Sequence, residues 1–360
     1  MCAFQFVLNL KKNFNRLIPS SAQKYIVALL ISSGKKNCAS MSYELEVPYN
    51  SIYEFLDPKN FQEASLKQYL IAMVHVYSTE QNKGIFIVDS TQIVKLYAKK
   101  LECCCYDFSN SMKLVVKGMS CVTSVWTNGK IVIPLDFSFW TRKKDLKNDA
   151  NYKKKTDISK DLISELKDKI PFEYIALDGE YGSESFLTFL HKNNLKYSIR
   201  IPKNRRVLIG NTDAQLKKQP FFQLKKNERY KTATGSYKGI PALFTSQKRK
   251  GKNGTKQIVF VVSNLESLTP KQHILSYERR WPIEKMFRTL KQSLGIQHCQ
   301  SNSRKKQRAH IYATFLAFAE LEKQKIYKKK KSPEEILKII RIQNKGKKDP
   351  ALPLLEGYIM

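Results

Sequence analysis

Two short apolar runs, each ending in an aspartate, constrain the fold of this chain most strongly. Residues 84–89 read Gly-Ile-Phe-Ile-Val-Asp, and residues 172–178 read Phe-Glu-Tyr-Ile-Ala-Leu-Asp. Continuous apolar runs of this length are typical of strands buried on both faces. They predict an α/β sheet in which Asp89 and Asp178 end two strands, at the edge where such sheets build their sites.

Other segments complete a mixed sheet with helices packed against it. Further β-rich runs lie at residues 120–126, 130–139, 195–201 and 257–262. The first two flank Asn128-Gly129, a strong hairpin signal. Helices are predicted at residues 162–170, 185–191, 269–294 and 308–327, with a last one starting at Ser332-Pro333.

Changes in composition divide the chain into five regions. They are a helical region (1–80), a first core part (81–202), a Lys-rich, β-rich insertion (203–256), a second core part (257–327) and a basic helix with a tail (328–360). In the first region, residues 41–56 break at Pro48 and suggest a helix-turn-helix whose second helix opens at Ser51. Two ordinary packed helices are the alternative.

The charge balance points to a polyanionic partner. The 360 residues contain 64 Lys and Arg against 31 Asp and Glu, a net charge of +33. Nucleic acid is the usual partner of such a chain. An anionic membrane surface is disfavoured because the charge is spread along the whole chain rather than along one amphipathic helix.

No apolar run approaches the roughly 20 residues that a membrane span needs. The basic residues at the start follow the apolar ones, the wrong order for a signal peptide. Seven cysteines without a CxxC pair indicate reduced thiols rather than a zinc site. We therefore expect a cytoplasmic protein, associated with the nucleoid when bound to DNA.

Basic clusters offer candidate DNA contacts. One follows the strand at 195–201 and contains Arg200, Lys203, Arg205 and Arg206. Another contains Lys248, Arg249, Lys250 and Lys252. Both could follow a DNA backbone, or they could be solvated basic faces. The run 328–331 is interpreted as a charged helix end.

A third acid, Glu284, completes a candidate metal site with Asp89 and Asp178. Mg²⁺ prefers carboxylate oxygens and leaves positions open for water and phosphate. Three converging carboxylates can hold two ions, which activate the attacking oxygen and stabilise the leaving one in phosphoryl transfer. An Asp at a strand end can also be an ordinary cap, so neither aspartate is decisive alone.

The segment around Glu284 is the most specific. Tyr277, Arg280, Glu284 and Lys291 follow one another at spacings of three, four and seven. On a continuous helix they would share one face, which suits binding of phosphates beside a metal. Pro282 disfavours a helical Trp281 and predicts a kink or a new helix, with Glu284 in its first turn.

This spacing, Tyr-x2-Arg-x3-Glu-x6-Lys, resembles the YREK signature of the IS4-family DDE transposases of bacterial insertion sequences. The resemblance covers about residues 84–325. It implies an RNase H-like core with a β-rich insertion between Asp178 and Glu284. It also implies cut-and-paste transposition with Mg²⁺, for which Mn²⁺ can substitute, by a homodimer that holds transposon ends and target DNA. Tyr277, Arg280 and Lys291 would contact DNA near the cleavage site.

One departure from the family concerns tryptophan. Some members hold a flipped base with an aromatic residue of the insertion, often Trp, but the tryptophans here are Trp126, Trp140 and Trp281. Tyr230 or Tyr237 could stack a base instead. Passage through a hairpin intermediate stays open.

We thus expect a DDE transposase that cleaves strands at element ends and transfers them into target DNA. One alternative is a nuclease of the same fold that hydrolyses without joining. Another is a non-catalytic protein that binds DNA ends, which the intact acids and signature disfavour.

Overall fold

A computed structural model of the protein describes residues 18–109, 112–146, 151–250, 255–327 and 331–344. Predictions for residues 1–17, Lys252, residues 328–330 and the tail after Asn344 lie outside the described residues. No described helix combines the length and hydrophobicity that a bilayer crossing requires.

One large sheet organises the described chain. Its strands are β1 (Ile85–Val94), β2 (Cys105–Ser109), β3 (Leu114–Thr127), β4 (Val132–Trp140), β5 (Ile175–Leu177), β6 (Tyr197–Ile201), β7 (Arg206–Ile209), β8 (Thr212–Gln215), β9 (Tyr230–Tyr237), β10 (Ile240–Lys250) and β11 (Lys256–Ser263). They follow the order β2-β3-β1-β5-β6-β11-β10-β9-β7-β8, and β4 pairs with β3. Because β1, β5 and β6 are parallel and the other pairs antiparallel, the predicted mixed sheet is confirmed.

The predicted hairpin joins β3 to β4. The Asn128 Oδ1 atom accepts hydrogen bonds from the backbone N–H groups of Lys130 and Ile131. Gly129 has φ +86°, a conformation that glycine adopts without a Cβ penalty. This turn holds β4 against β3.

Ten helices flank the sheet in the described part of the chain. They are α1 (Ser20–Ile31), α2 (Cys38–Leu45), α3 (Tyr49–Tyr53), α4 (Glu63–Tyr77), α5 (Lys155–Leu166), α6 (Glu184–Lys192), α7 (Pro270–Glu278), α8 (Pro282–Gln292), α9 (Arg304–Tyr327) and α10 (Pro333–Asn344). α9 is buried along most of its length and contacts α1, α4 and β4. The amino-terminal helices and the sheet thereby share one hydrophobic core.

The region suggested as a helix-turn-helix contains two short helices. α2 ends at Leu45, and the next residue, Glu46, caps it with a left-handed φ of 53°. α3 starts at Tyr49, two residues earlier than predicted, and passes into a 3₁₀ turn over Glu54–Leu56. DNA reading by this pair stays a prediction.

The prediction that β1 ends at Asp89 is wrong. β1 continues to Val94 because β3 pairs with it throughout, from Ile85↔Thr127 to Val94↔Gly118. Its parallel partner β5 stops at Leu177, opposite Val88. Asp89 is therefore the first residue of β1 that has no partner in β5, and it lies within the strand rather than at its end.

Residues 203–256 contain the predicted β structure. β7 to β10 extend the same sheet, since β11 returns to pair with β6 and β10 pairs with β11. This arrangement places the Lys-rich strands on the side of the sheet beyond Asp178.

Candidate active site

The two aspartates become neighbours through strand register. The last parallel pair of β1 and β5 is Val88↔Leu177, so Asp89 and Asp178 follow it side by side. β5 and β6 are also parallel, with Leu177 opposite Ile199, which puts Arg200 beside Asp178 in turn. The sheet alone thus brings two acids and one cation to one edge.

Glu284 reaches this edge from two consecutive helices. α7 starts in a reciprocal cap between Thr269 and Gln272 and ends at Glu278. α8 starts at Pro282, and Glu284 lies in its first turn, so the predicted new helix is confirmed. The helix dipole favours a carboxylate at that position.

Trp281 departs from the expectation for a residue that precedes proline, because it stays in the right-handed helical region (φ −52°, ψ −27°). Two tight turns explain this conformation: the N–H groups of Arg280 and Trp281 donate to the carbonyls of Tyr277 and Glu278. The chain consequently keeps a helical path through the break, and Tyr277, Arg280 and Glu284 stay on one side.

The Arg280 guanidinium joins two of the acids. Its Nη1 atom donates to Asp89 Oδ2 at 2.7 Å, and its Nη2 atom donates to Glu284 Oε1 at 2.7 Å. Arg280 is only 4% exposed. Such charge-assisted bonds in a buried place are among the stronger hydrogen bonds in proteins, so Arg280 fixes the separation of β1 and α8 at the site.

Tyr277 binds the third acid. Its hydroxyl donates to Asp178 Oδ1 at 3.0 Å, and its ring lies 5.6 Å from the Arg280 guanidinium carbon. The structure therefore brings together five of the residues singled out in the sequence: Asp89, Asp178, Tyr277, Arg280 and Glu284.

Burial sets the protonation of these groups. It raises the pKa of the Asp89 carboxyl to about 7, against the opposing effects of Arg280 and the Ser90 N–H. The pKa of Tyr277 is raised by burial, which keeps its phenol a hydrogen-bond donor. Burial alone would lower the pKa of Arg280, but Asp89 and its neighbours raise it, so the guanidinium stays charged.

The donor set suits a hard divalent cation, because Asp89 and Glu284 direct carboxylate oxygens at one positive group. In the described part of the chain, no three Asp, Glu, His or Cys side chains are arranged to hold a metal. The Arg280 guanidinium lies between Asp89 and Glu284 and pairs with both.

Sequence reasoning missed two residues at this edge. The Ser90 hydroxyl donates to Glu180 Oε1 at 3.3 Å, so a fourth carboxylate lies near Asp89. Glu180 belongs to the single 3₁₀ turn Gly179–Tyr181 that follows Asp178. The sequence signal that could have identified Glu180 is its position two residues after Asp178.

The remaining predicted DNA-binding residues lie on α8 and at the end of β6, and no described hydrogen bond or ion pair joins them to the three acids. Lys291 lies in the last turn of α8, and burial lowers its pKa while the Cys121 thiol opposes that shift. Arg200 and Lys203 are exposed at the carboxyl end of β6, and Arg205 is partly buried just beyond them. All three cations lie on the Asp178 side of the sheet.

A largely basic cavity of about 880 Å³ lies against α7, the helix that carries Tyr277, and Ile274, Leu275 and Glu278 of that helix line it. Its cations are Lys226, Arg229, Lys248, Arg249, Lys250 and Lys271. Tyr230 also lines it and packs against the small cluster that contains Tyr277. The second predicted basic cluster thus lies beside the candidate site.

Comparisons with known families agree with this geometry. A family model described as DDE superfamily endonuclease matches residues 10–221, which include Asp89 and Asp178. A second, described as Transposase DDE domain, matches residues 131–319, which include Asp178 and Glu284. Each match spans more than half of the 360 residues. No curated protein is a significant match to the chain.

Proposed function

The chain belongs to the DDE transposases, and from that premise we propose that it is an IS4-family transposase that cuts DNA at the ends of its insertion sequence and joins them to target DNA. One observation carries the proposal: Tyr277, Arg280 and Glu284, at the spacing of the YREK signature, contact both strand-borne aspartates.

Asp89, Asp178 and Glu284 would hold the divalent metal that this family normally uses. The fitting ion is Mg²⁺, with Mn²⁺ as a substitute, because the donors are hard carboxylate oxygens. A bound pair of ions would activate the attacking oxygen and stabilise the leaving one. The ion pairs of Arg280 with Asp89 and Glu284 support this proposal, because a metal ion would likewise place positive charge beside these carboxylates.

The proposed reaction has two phosphoryl transfers at this site. In the first, a water oxygen forms a bond to phosphorus at the element's end, and the bond to the 3′ oxygen breaks. That oxygen takes up a proton and becomes a 3′-hydroxyl. In the second, the 3′-hydroxyl oxygen forms a bond to the phosphorus of a target phosphodiester and gives up its proton. The bond from that phosphorus to the target's own 3′ oxygen breaks, and that oxygen takes up a proton and leaves as a new 3′-hydroxyl.

Arg280 and Lys291 would bind phosphates that flank the cut, and Tyr277 would orient Asp178 through its hydroxyl. β7 to β10 would be the β-rich insertion of an RNase H-like core, because they lie between Asp178 and Glu284 in sequence. Arg200, Lys203 and Arg205 would contact the DNA backbone on the Asp178 side. A homodimer would hold two element ends.

A strand-transfer assay tests this function. Purified protein, Mg²⁺ and a fragment carrying the inverted repeat that borders the gene, labelled at the 5′ end of the strand to be transferred, are incubated with a circular plasmid. We expect label joined to the plasmid, and no joining or cleavage by Asp89→Ala, Asp178→Ala or Glu284→Ala proteins that still bind the fragment. Cleavage without joined product would assign a nuclease instead, and cleavage by Asp178→Ala would refute the site.

A further inference from the structure

A second basic cavity lies away from the acids, where three loops meet. It has a volume of about 750 Å³ and is formed by the loop after β1, the loop after α8 and the connection from α1 to α2. Its cationic residues are Lys35, Lys95, Lys99 and Lys100, and His298 also lines it. Of the described residues that line it, none is Asp or Glu. We call it the β1-end groove.

The loops of the β1-end groove are tied to one another. The Lys95 ammonium donates to the Cys299 carbonyl at 2.5 Å, and the Glu102 N–H donates to the Asn302 carbonyl at 3.2 Å. Glu102, the acid that follows the first loop, uses its carboxylate to accept from the Arg304 N–H. The groove is thus a built surface whose nearby acid is engaged elsewhere.

Its electrostatics favour an anion. The pKa of His298 is lowered by burial and then by Lys36, Lys95 and Lys35. Burial also lowers the pKa of Lys95. The exposed Lys35, Lys99 and Lys100 line this surface without a carboxylate among the described lining residues to offset their charge, so a phosphate that approaches it is attracted.

The groove also has an exposed aromatic ring. Tyr97 projects from the β1 loop with 93% exposure. Exposed lysines beside an exposed aromatic ring are typical of a nucleic-acid surface rather than a site for a small anion.

The groove lies in line with the acids. β1 carries the chain from Asp89 to Lys95, six residues or roughly 20 Å at about 3.3 Å per residue. α8 runs from Glu284 to Lys291 and is followed by Gln297, whose Nε2 atom donates to the Lys291 carbonyl. About 20 Å corresponds to about six base pairs at about 3.4 Å each.

We propose that the β1-end groove binds the backbone of duplex DNA about six base pairs from the phosphodiester at the three acids, on the path marked by Lys291. The inference rests on the proposed transposase function for its DNA partner. It adds a second anchoring point, which would set the register of the DNA end on the protein.

Salt dependence of DNA binding tests the groove without any catalysis. Fluorescence anisotropy of a labelled 30-base-pair duplex of arbitrary sequence is measured in EDTA over a series of NaCl concentrations. The variant Lys35→Ala/Lys99→Ala/Lys100→Ala removes three exposed lysines of the groove. The matched control, Lys83→Ala/Lys192→Ala/Lys196→Ala, removes three exposed lysines near the amino ends of β1 and β6, opposite the acids.

We expect the slope of log Kd against log salt to fall by about 2.7 in the groove variant, at about 0.9 per phosphate contact, and to stay unchanged in the control. Equal slopes for wild type and groove variant would overturn the proposal while leaving the proposed function standing. Failure of the wild-type protein to bind duplex DNA would instead refute the proposed function.

A methylphosphonate scan tests the distance. Pre-cleaved element-end duplexes with three neutral linkages at successive positions are titrated in Mg²⁺. Neutralising phosphates five to seven should weaken binding by wild type but not by the groove variant. The placement of the groove about six base pairs from the cut would be contradicted if the wild type and the groove variant differed only at other positions, or at no position.

Discussion

Arg280 donates to Asp89 across 2.7 Å, from a turn between two helices to the middle of the central strand. The same guanidinium binds Glu284, four residues on. One buried cation thus holds together Asp89 and Glu284, which lie 195 positions apart in the sequence. The site is assembled around a positive charge before any substrate is present.

Removing that charge should destabilise the protein in a way that Mg²⁺ relieves. Arg280→Met leaves Asp89 uncompensated, so we expect the free energy of unfolding to fall by about 3 kcal/mol in EDTA. Because metal then replaces the guanidinium, Mg²⁺ should stabilise the variant more than the wild type. Urea unfolding with and without Mg²⁺ measures both effects.

The neighbouring Arg279 is the matched control. It is partly exposed and lies 3.5 Å from Glu173, so Arg279→Met should cost less than about 1 kcal/mol and show no special response to Mg²⁺. An equal response of the two variants would mean that Arg280 does not stand in for a metal.

The Tyr277 hydroxyl should matter through Asp178. Tyr277→Phe removes a hydrogen bond to a carboxylate, worth about 1.5–3 kcal/mol, so cleavage in Mg²⁺ should slow by about ten-fold or more. Tyr174→Phe removes a comparable bond from a phenol to the Ser276 carbonyl of α7 and should leave the rate unchanged. The rate of nicking of an element-end fragment is the measurement, and equal rates for both variants would exclude this role.

Stability should fall in mild acid because of His310. Burial lowers its pKa to about 3, with Lys95 and His298 adding to the shift and the Gly295 carbonyl opposing it, while Tyr25 bonds the ring. Between pH 6.5 and 3, the imidazole is protonated in the unfolded chain but stays neutral in the folded protein, because its pKa is near 6.5 when unfolded. Stability is therefore lost as pH falls from about 6.5 towards 3, by up to about 1.4 kcal/mol per pH unit.

Urea unfolding at pH 7 and pH 5 measures this loss, to which His310 should contribute about 2 kcal/mol. His310→Gln should be less stable than wild type at pH 7 but lose less on acidification. The exposed His191 in α6 provides the control variant His191→Gln. Its free energy of unfolding should fall between pH 7 and pH 5 by the same amount as that of the wild type. An unchanged pH response of His310→Gln would contradict the account.

The start of β1 should tolerate no side chain at Gly84. Its φ is +74°, and an added Cβ would lie 2.6 Å from the Trp126 ring. Gly129→Ala shares the positive φ but meets nothing within 4 Å, so it isolates the backbone cost of about 1 kcal/mol. Gly84→Ala should lower the free energy of unfolding by about 3 kcal/mol or more in urea, because the clash with Trp126 adds to the backbone cost. Equal losses for the two variants would show that the Trp126 ring moves to make room for the added methyl group.

Local patterns in the sequence predicted much of this arrangement. Apolar runs located β1 and β5, Asn128-Gly129 located the hairpin, and Pro282 located the start of α8. Each depends on residues close together in the chain. The continuation of β1 beyond Asp89 depends instead on pairing with β3, a partner about thirty residues away, which periodicity does not reveal.

Side-chain geometry was the least predictable part. Spacing placed Tyr277 and Arg280 near Glu284, but that Tyr277 binds Asp178 and Arg280 binds Asp89 depends on how α7 packs on the sheet. Glu180 went unnoticed because its approach to Ser90 needs the register of β1 and β5. The β1-end groove joins three segments distant in sequence, so no single motif marks it.

Metal-specific rescue at Asp178 tests the central claim most directly. A thiolate is a softer ligand than a carboxylate and suits Mn²⁺ better than Mg²⁺. Cleavage of an element-end fragment is compared for wild type, Asp178→Cys and Asp178→Ala in each metal. We predict that Asp178→Cys is inactive in Mg²⁺ and regains cleavage in Mn²⁺, whereas Asp178→Ala is inactive in both. Full activity of Asp178→Cys in Mg²⁺, or equal recovery of both variants in Mn²⁺, would contradict a metal-binding role for this carboxylate.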